Sequence, residues 1–332
     1  MAVVFSGFEQ KKIGITSEDG PIEIACQVGG KGPPLLLLHG FPQTKAIWHE
    51  TAPFLAKHFT VIAADLRGYG ESSKPHGKSD HSSYSKRSMA ADQHALMKEL
   101  GHHQFFLLGH DRGGRVSHRL AADFPDSVLR LMVLDISPTL SMYENTSMEF
   151  ARGYWHWFFL IQAEPIPETL IGANSEFWLK NHMGRHAGMG IFSAENWAEY
   201  LAGASNPQSM HAMCEDYRAA ASIDLVHDRE DRQAGKRLEM PLRVLWGEHG
   251  LVNKCFKPLE DWQKVAKNVT GRTVPCGHYI PEELPDELIS EAITFFKLNN
   301  IYGAKSGIFL ASGGQGITTS GFTTKSFFSL SG

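Results

Sequence analysis

The stretch from Gln104 to Phe124, QFFLLGHDRGGRVSHRLAADF, constrains this chain more than any other. A short unbroken apolar run reads as a buried strand, passes through Gly109-His110-Asp111-Arg112-Gly113-Gly114, and continues at once as an amphipathic helix. Glycines on both sides of Asp111 permit a sharp turn and a close approach of backbone that side chains would block. The turn leaves the carboxylate at the start of the helix, where negative charge is favoured. Such a carboxylate is held out for attack; the bland alternative is an Asp that merely caps a helix.

Five further apolar runs have the same look: PPLLLLHG at 33–40, FTVIAADLRG at 59–68, LRLMVLDI at 129–136, LRVLWGE at 242–248 and GRTVPCGH at 271–278. Runs that do not alternate belong to strands buried on both faces, and amphipathic stretches such as Met89–Leu100 and Arg115–Asp123 separate them. An α/β architecture with a mostly parallel sheet flanked by helices follows. After Pro138 the pattern turns aromatic-rich and helical, and strands return only at Leu242. The expected organisation is a first core part at 1–138, an inserted helical cap at 139–240, a second core part at 241–298 and a flexible tail at 299–332. Glycine, serine and threonine make up 17 of the last 30 residues, too little apolar surface to offset the entropy of ordering.

Composition narrows the function. The 332 residues are 42% hydrophobic and 20% charged, enough for a sizeable core. With 32 Lys and Arg against 36 Asp and Glu the net charge is −4, so neither a nucleic-acid footprint nor a polybasic membrane patch is expected. Cys26, Cys214, Cys255 and Cys276 have no paired spacing and read as reduced thiols of a cytoplasmic protein. No apolar run approaches the roughly 18 residues of a membrane span, and the first residues lack a secretory pattern.

The other motifs fit around Asp111. A strand, G-x-nucleophile-x-G turn and helix is the nucleophile elbow of the α/β-hydrolase fold, with Asp where esterases and lipases carry Ser. HGFP at 39–42 follows the first strong strand, where that fold supplies one oxyanion-hole N–H; the residue after the nucleophile supplies the other. This selects the amides of Phe41 and Arg112. His278, after the last strand, stands where the base of a triad is expected. For its acid partner, Asp135 at the end of LRLMVLDI is the better choice and Glu248 the fallback. ADLRGYGES at 64–72 is assigned a structural role.

Arg112 and Arg115 lie three residues apart on the elbow helix, under the expected cap, where an unpaired guanidinium is costly. Two forked donors there would hold a substrate carboxylate and screen it from Asp111. The alternative is that Arg115 pairs with a structural acid; Arg119 is left as structural. In the cap, core packing is the default for Trp155, Phe158, Phe159, Trp178 and Trp197, and spacing alone does not pick out particular aromatics as donors.

HGFPQ, ADLRGYG, GHDRGGR, LDISPT, YWHW, CEDYRAAA and CGH together resemble the fluoroacetate (haloacetate) dehalogenases of the α/β-hydrolase superfamily, over roughly residues 5–297. The resemblance implies Asp111 as nucleophile, His278 as base, Asp135 as its partner, Arg112 and Arg115 as a carboxylate clamp, and His156, Trp157 and Tyr217 as the halide pocket. It implies a small haloacid as the partner, is compatible with a homodimer, and calls for no cofactor or metal. CGH, where relatives carry two glycines, is a departure that touches packing only. Rival readings are an epoxide hydrolase, with Tyr217 joined by Tyr154 or Tyr200, a haloalkane dehalogenase, and a non-catalytic carboxylate-binding homologue; His182 and His186 have metal-ligand spacing without the accompanying glutamate.

Overall fold

The computed structural model describes residues 3–185 and 188–297. The tail expected at 299–332, and His186, lie outside the described residues. Within them, the strands are β1 (Phe8–Ser17), β2 (Gly20–Gly29), β3 (Pro34–Leu38), β4 (Thr60–Ala64), β5 (Phe105–His110), β6 (Val128–Leu134), β7 (Leu242–Gly247) and β8 (Val269–Val274). They form one sheet in the order β1-β2-β4-β3-β5-β6-β7-β8. From β4 to β8 the pairing is parallel, while β2 runs antiparallel to both β1 and β4.

Two cores explain why the central strands do not alternate. Leu36, Leu38 and Leu107 join the apolar cluster that holds Met89, Leu96, Val116 and Leu120, from the helices Lys86–Glu99 and Arg112–Asp123. Leu35, Leu37, Phe106 and Leu108 point the other way, into the cluster with Leu288, Ala292 and Phe296 of the helix Pro285–Phe296. Both faces of the sheet are therefore covered, and every position must be apolar.

The hairpin β1–β2 was not among the expected strands. β1 and the first half of β2 bury only one face, so their signal is alternation (Ile13 and Ile15, then Ile22 and Ile24) instead of a continuous run. Glu18 and Asp19 form its two-residue loop, closed by Gly20 at φ +100°.

Among the described residues, eight helices between Thr139 and Gln233 separate β6 from β7. Because β3, β5, β6 and β8 are parallel, the segments that follow them emerge at one edge of the sheet. His39–Phe41, Asp111, Asp135 and His278 are on those segments, at the carboxyl edge where open α/β sheets bind ligands.

Candidate active site

Asp111 occupies the elbow between β5 and the helix Arg112–Asp123 at φ 44° and ψ −115°, a backbone state that costs a non-glycine residue about 1–3 kcal/mol. The fold enforces it by close packing. A Cβ on Gly113 would run into the carbonyls of Leu38 and His39, and one on Gly40 would come within 2.6 Å of the Asp111 Cβ. The Phe41 amide consequently reaches the carboxylate, donating to Asp111 Oδ2 at 3.1 Å. Arg112 opens the helix, so its amide is one of those without an intrahelical acceptor.

His278 lies four residues beyond β8, and its Nδ1 donates to Asp135 Oδ2 at 2.5 Å. Asp135 Oδ1 accepts from the Gly247 amide at 2.9 Å, and its backbone is also in the left-handed region at φ 51°. Glu248 is exposed at the end of β7, so Asp135, and not the fallback, meets the histidine. Burial alone would push the His278 imidazole down, but the bond to Asp135 and its charge outweigh this and hold it above the ordinary histidine value. For Asp111 burial works upward, and His278 and Arg115 outweigh it; its carboxyl sits below the usual carboxylate range. His110 donates from Nε2 to the His278 carbonyl at 2.8 Å and so ties the two loops together.

The two arginines differ. The sequence expectation of two free forks is corrected by Asp216, which takes most of Arg112. The Arg112 Nε lies 3.2 and 3.1 Å from the two Asp216 carboxylate oxygens, and Nη2 donates to Oδ1 at 2.5 Å and to the Asp216 carbonyl at 2.7 Å. Lys86 Nζ also bonds Asp216, and Tyr69 of the ADLRGYG loop donates to it at 2.7 Å. Only Nη1 of Arg112 is left without a partner. Arg115, by contrast, has no acidic partner among the described residues. Its Nη1 donates to the Ser137 carbonyl and Thr139 Oγ1, its Nη2 lies 3.1 Å from Met142 Sδ, and its buried Nε has no partner. Arg119 pairs with Asp123, Asp228 and Asp231, as a structural residue should.

The aromatic candidates gather on Phe41. Its ring stacks on His156 at 6.0 Å and meets Tyr217 edge-on at 5.0 Å. The Arg112 guanidinium lies 4.1 Å over the Tyr217 ring and that of Arg115 lies 4.7 Å over Trp157, contacts that link the cations to the same cluster. Trp157 and Tyr217 are each 1% exposed, so the indole N–H and the hydroxyl are buried with the cluster. Arg185 Nη1 lies 3.2 Å from His156 Nδ1. An arginine can only donate, so Nδ1 accepts and the ring proton is on Nε2.

Sequence reasoning missed Asp216, Arg185 and a buried cluster at Glu282. Gln43 Nε2 donates to Glu282 Oε2 at 2.5 Å, while Asn196 and Tyr200 donate to Oε1 at 2.9 and 3.0 Å. Burial pushes the Glu282 carboxyl up to about 8 despite these bonds. Tyr200 is thereby committed to Glu282. Trp155, assigned by default to the core, is 42% exposed; the chain passes it at the surface before Trp157 turns inward.

Comparison with known proteins decides the family. The family model described as the alpha/beta hydrolase fold matches residues 33–285. A fluoroacetate dehalogenase from Burkholderia sp is 44% identical over 286 residues, 86% of this chain and 92% of that protein. The chain belongs to the fluoroacetate dehalogenase family of the α/β-hydrolase superfamily. Within the same superfamily, a soluble epoxide hydrolase from Corynebacterium sp. (strain C12) is 36% identical over 273 residues, covering 80% of this chain and 91% of that one. A crystal structure from Nostoc sp PCC 7120 superposes with a TM-score of 0.85 at 47% identity, covering 89% of this chain and all of that one. The family's eight-stranded, mostly parallel sheet is the one described above. Among the described residues no helix is long and apolar enough to cross a membrane.

Proposed function

We propose that the protein hydrolyses haloacetates to glycolate and halide through an ester on Asp111. The observation that carries this reading is the Arg115 guanidinium, buried beside an ionised Asp111 with no acidic partner among the described residues and with Nε unsatisfied. A neutral substrate would leave that cation uncompensated. A haloacetate carboxylate satisfies it, together with Nη1 of Arg112. The clamp is thus one N–H edge from each arginine, not two whole forks.

Asp111 attacks the α-carbon opposite the halogen; the C–O bond forms as the carbon–halogen bond breaks and halide leaves with the bonding pair. His156 Nε2–H, the Trp157 indole and the Tyr217 hydroxyl are the donors proposed to receive it. Fluoride gains most from such donors, because it is a small ion whose concentrated charge accepts strongly. His278 then takes a proton from water, whose oxygen adds to the Asp111 ester carbonyl, and the amides of Phe41 and Arg112 stabilise the oxyanion. Collapse releases glycolate, protonated through His278, and restores the carboxylate. Asp135 keeps the imidazole oriented throughout.

An epoxide hydrolase is the second reading, favoured by Tyr154, whose hydroxyl is 3.5 Å from His278 Nδ1, and by Tyr217. It leaves Arg115 without a purpose. Halide release from fluoroacetate, chloroacetate and a haloalkane, run beside opening of an epoxide probe, separates the readings. Turnover confined to the epoxide or the haloalkane overturns the haloacetate assignment. A single turnover in heavy-oxygen water should label the Asp111 carboxylate before the product.

A further inference from the structure

His211, on the helix Pro207–Ala220, has an environment the proposed chemistry does not use. Its Nε2 lies 2.8 Å from the His76 carbonyl oxygen. A carbonyl only accepts, so Nε2 carries a hydrogen, and Nδ1, on the other side of the ring, holds either a lone pair or a second proton. Nδ1 is buried without a hydrogen-bond partner, and the nearest groups are two carboxylate oxygens, Glu164 Oε1 and Glu168 Oε1, each 3.6 Å away. A lone pair facing carboxylates is repulsive unless a cation stands between them. Arg218 already neutralises Glu168 at 2.7 Å, whereas Glu164 has no Lys or Arg partner among the described residues. The His76 ring lies flat against His211, with centroids 4.4 Å apart and planes at 7°.

We propose that His76, Glu164 and His211 bind a divalent transition metal of the zinc class. Their ligand atoms lie within 4.8 Å of one another. A tetrahedral zinc with nitrogen and oxygen donors at about 2.0–2.2 Å needs them about 3.4 Å apart. The side chains of His76 and Glu164 are exposed and can supply that adjustment, the His76 ring turning out of its parallel stack on His211, whose Nε2 is held by the His76 carbonyl. A histidine that donates its far N–H to a backbone carbonyl is the usual arrangement behind a metal ligand, since it sets the tautomer and orients the ring. Two imidazoles and one carboxylate select zinc, nickel, copper or cobalt over magnesium and calcium, which require oxygen cages. Glu168 or water completes the set. The site joins the loop after β4, which carries His76, to the helix that holds Asp216 and Tyr217, so the ion acts as a clamp between them. A proton on Nδ1 is the competing occupant, and the Glu168 carboxylate favours it.

The test uses the full chain freed of metal with a chelator. Zinc chloride should bind and raise the melting temperature, and cobalt should give the visible absorption of a four-coordinate nitrogen-and-oxygen site. His76→Ala and Glu164→Gln, both at exposed positions, should each weaken the affinity at least about tenfold and abolish the cobalt spectrum. Lowering the pH to about 5.5 should weaken binding in the wild type by protonating Nδ1. No thermal shift with zinc at about 100 μM, or equal affinity and spectra in the wild type and both variants, overturns the proposal.

Discussion

Glu282 offers the sharpest quantitative test of how the buried polar residues around the site are held. In an unfolded chain its carboxyl ionises near 4.5, and in the fold at about 8. Between these values the folded protein keeps a proton that the unfolded chain has lost. The stability this contributes is fully present below about pH 4.5 and is lost as pH rises through 8. At about 1.4 kcal/mol for each unit of separation the whole effect is of order 5 kcal/mol, of which about 2 kcal/mol falls between pH 6 and 8. Glu282→Gln removes the titration while preserving the shape. The amide oxygen still accepts from Asn196 and Tyr200, and a rotated Gln43 amide turns its unpartnered Oε1 toward the new NH2 group. Denaturant unfolding of both proteins at pH 6, 7, 8 and 9 reads the difference. Near pH 6 the variant should lie within about 1 kcal/mol of wild type, and it should gain on wild type by about 2 kcal/mol by pH 8. A gap that stays constant over this range refutes the argument that Glu282 is protonated in the native state at neutral pH.

Three further predictions concern turnover. His278→Asn should let the ester on Asp111 accumulate, because alkylation needs no base and hydrolysis does; intact-protein mass spectrometry that finds no adduct after incubation with haloacetate counts against His278 as the base. Trp157→Phe and Tyr217→Phe should each lower kcat/KM on fluoroacetate by about 1–3 kcal/mol and on chloroacetate by less, so an unchanged ratio between the two substrates returns these side chains to a packing role. Arg115→Lys keeps the charge but removes Nε and the planar fork, and haloacetate efficiency should fall by roughly two orders of magnitude; Arg112→Lys should instead show first as a lower melting temperature, since Asp216 loses its paired contacts.

What could be read from the sequence divides along physical lines. Strands covered on both faces announce themselves as unbroken apolar runs, which is why β3 to β7 stand out, whereas the edge strand β8 is only half-buried. β1 and the first half of β2, with one face in water, carry only the weaker alternating signal. Asp111, Asp135 and His278 are legible because each follows directly on, or soon after, a strand whose direction fixes where the chain emerges. Partners brought in by tertiary packing are not legible. Asp216 meets Arg112 across 104 residues and Glu282 meets Gln43 across 239, and no local pattern carries such information. A buried guanidinium calls for an anion, and for Arg112 that anion is mostly the protein's own Asp216.

Both acids that flank the proposed chemistry, Asp111 and Asp135, are held in backbone conformations that L-residues avoid. Glycine adopts such states freely, so a glycine in place of Asp111 relieves strain of about 1–3 kcal/mol while removing the proposed nucleophile; in place of Asp135 the relief is offset, because the Gly247 amide and His278 Nδ1 lose their buried acceptor. Selection for heat tolerance and selection for turnover therefore pull in opposite directions at Asp111. A laboratory lineage screened on melting alone would drift toward inert but sturdier descendants, and only a screen that demands product would keep the strained Asp111 carboxylate in place.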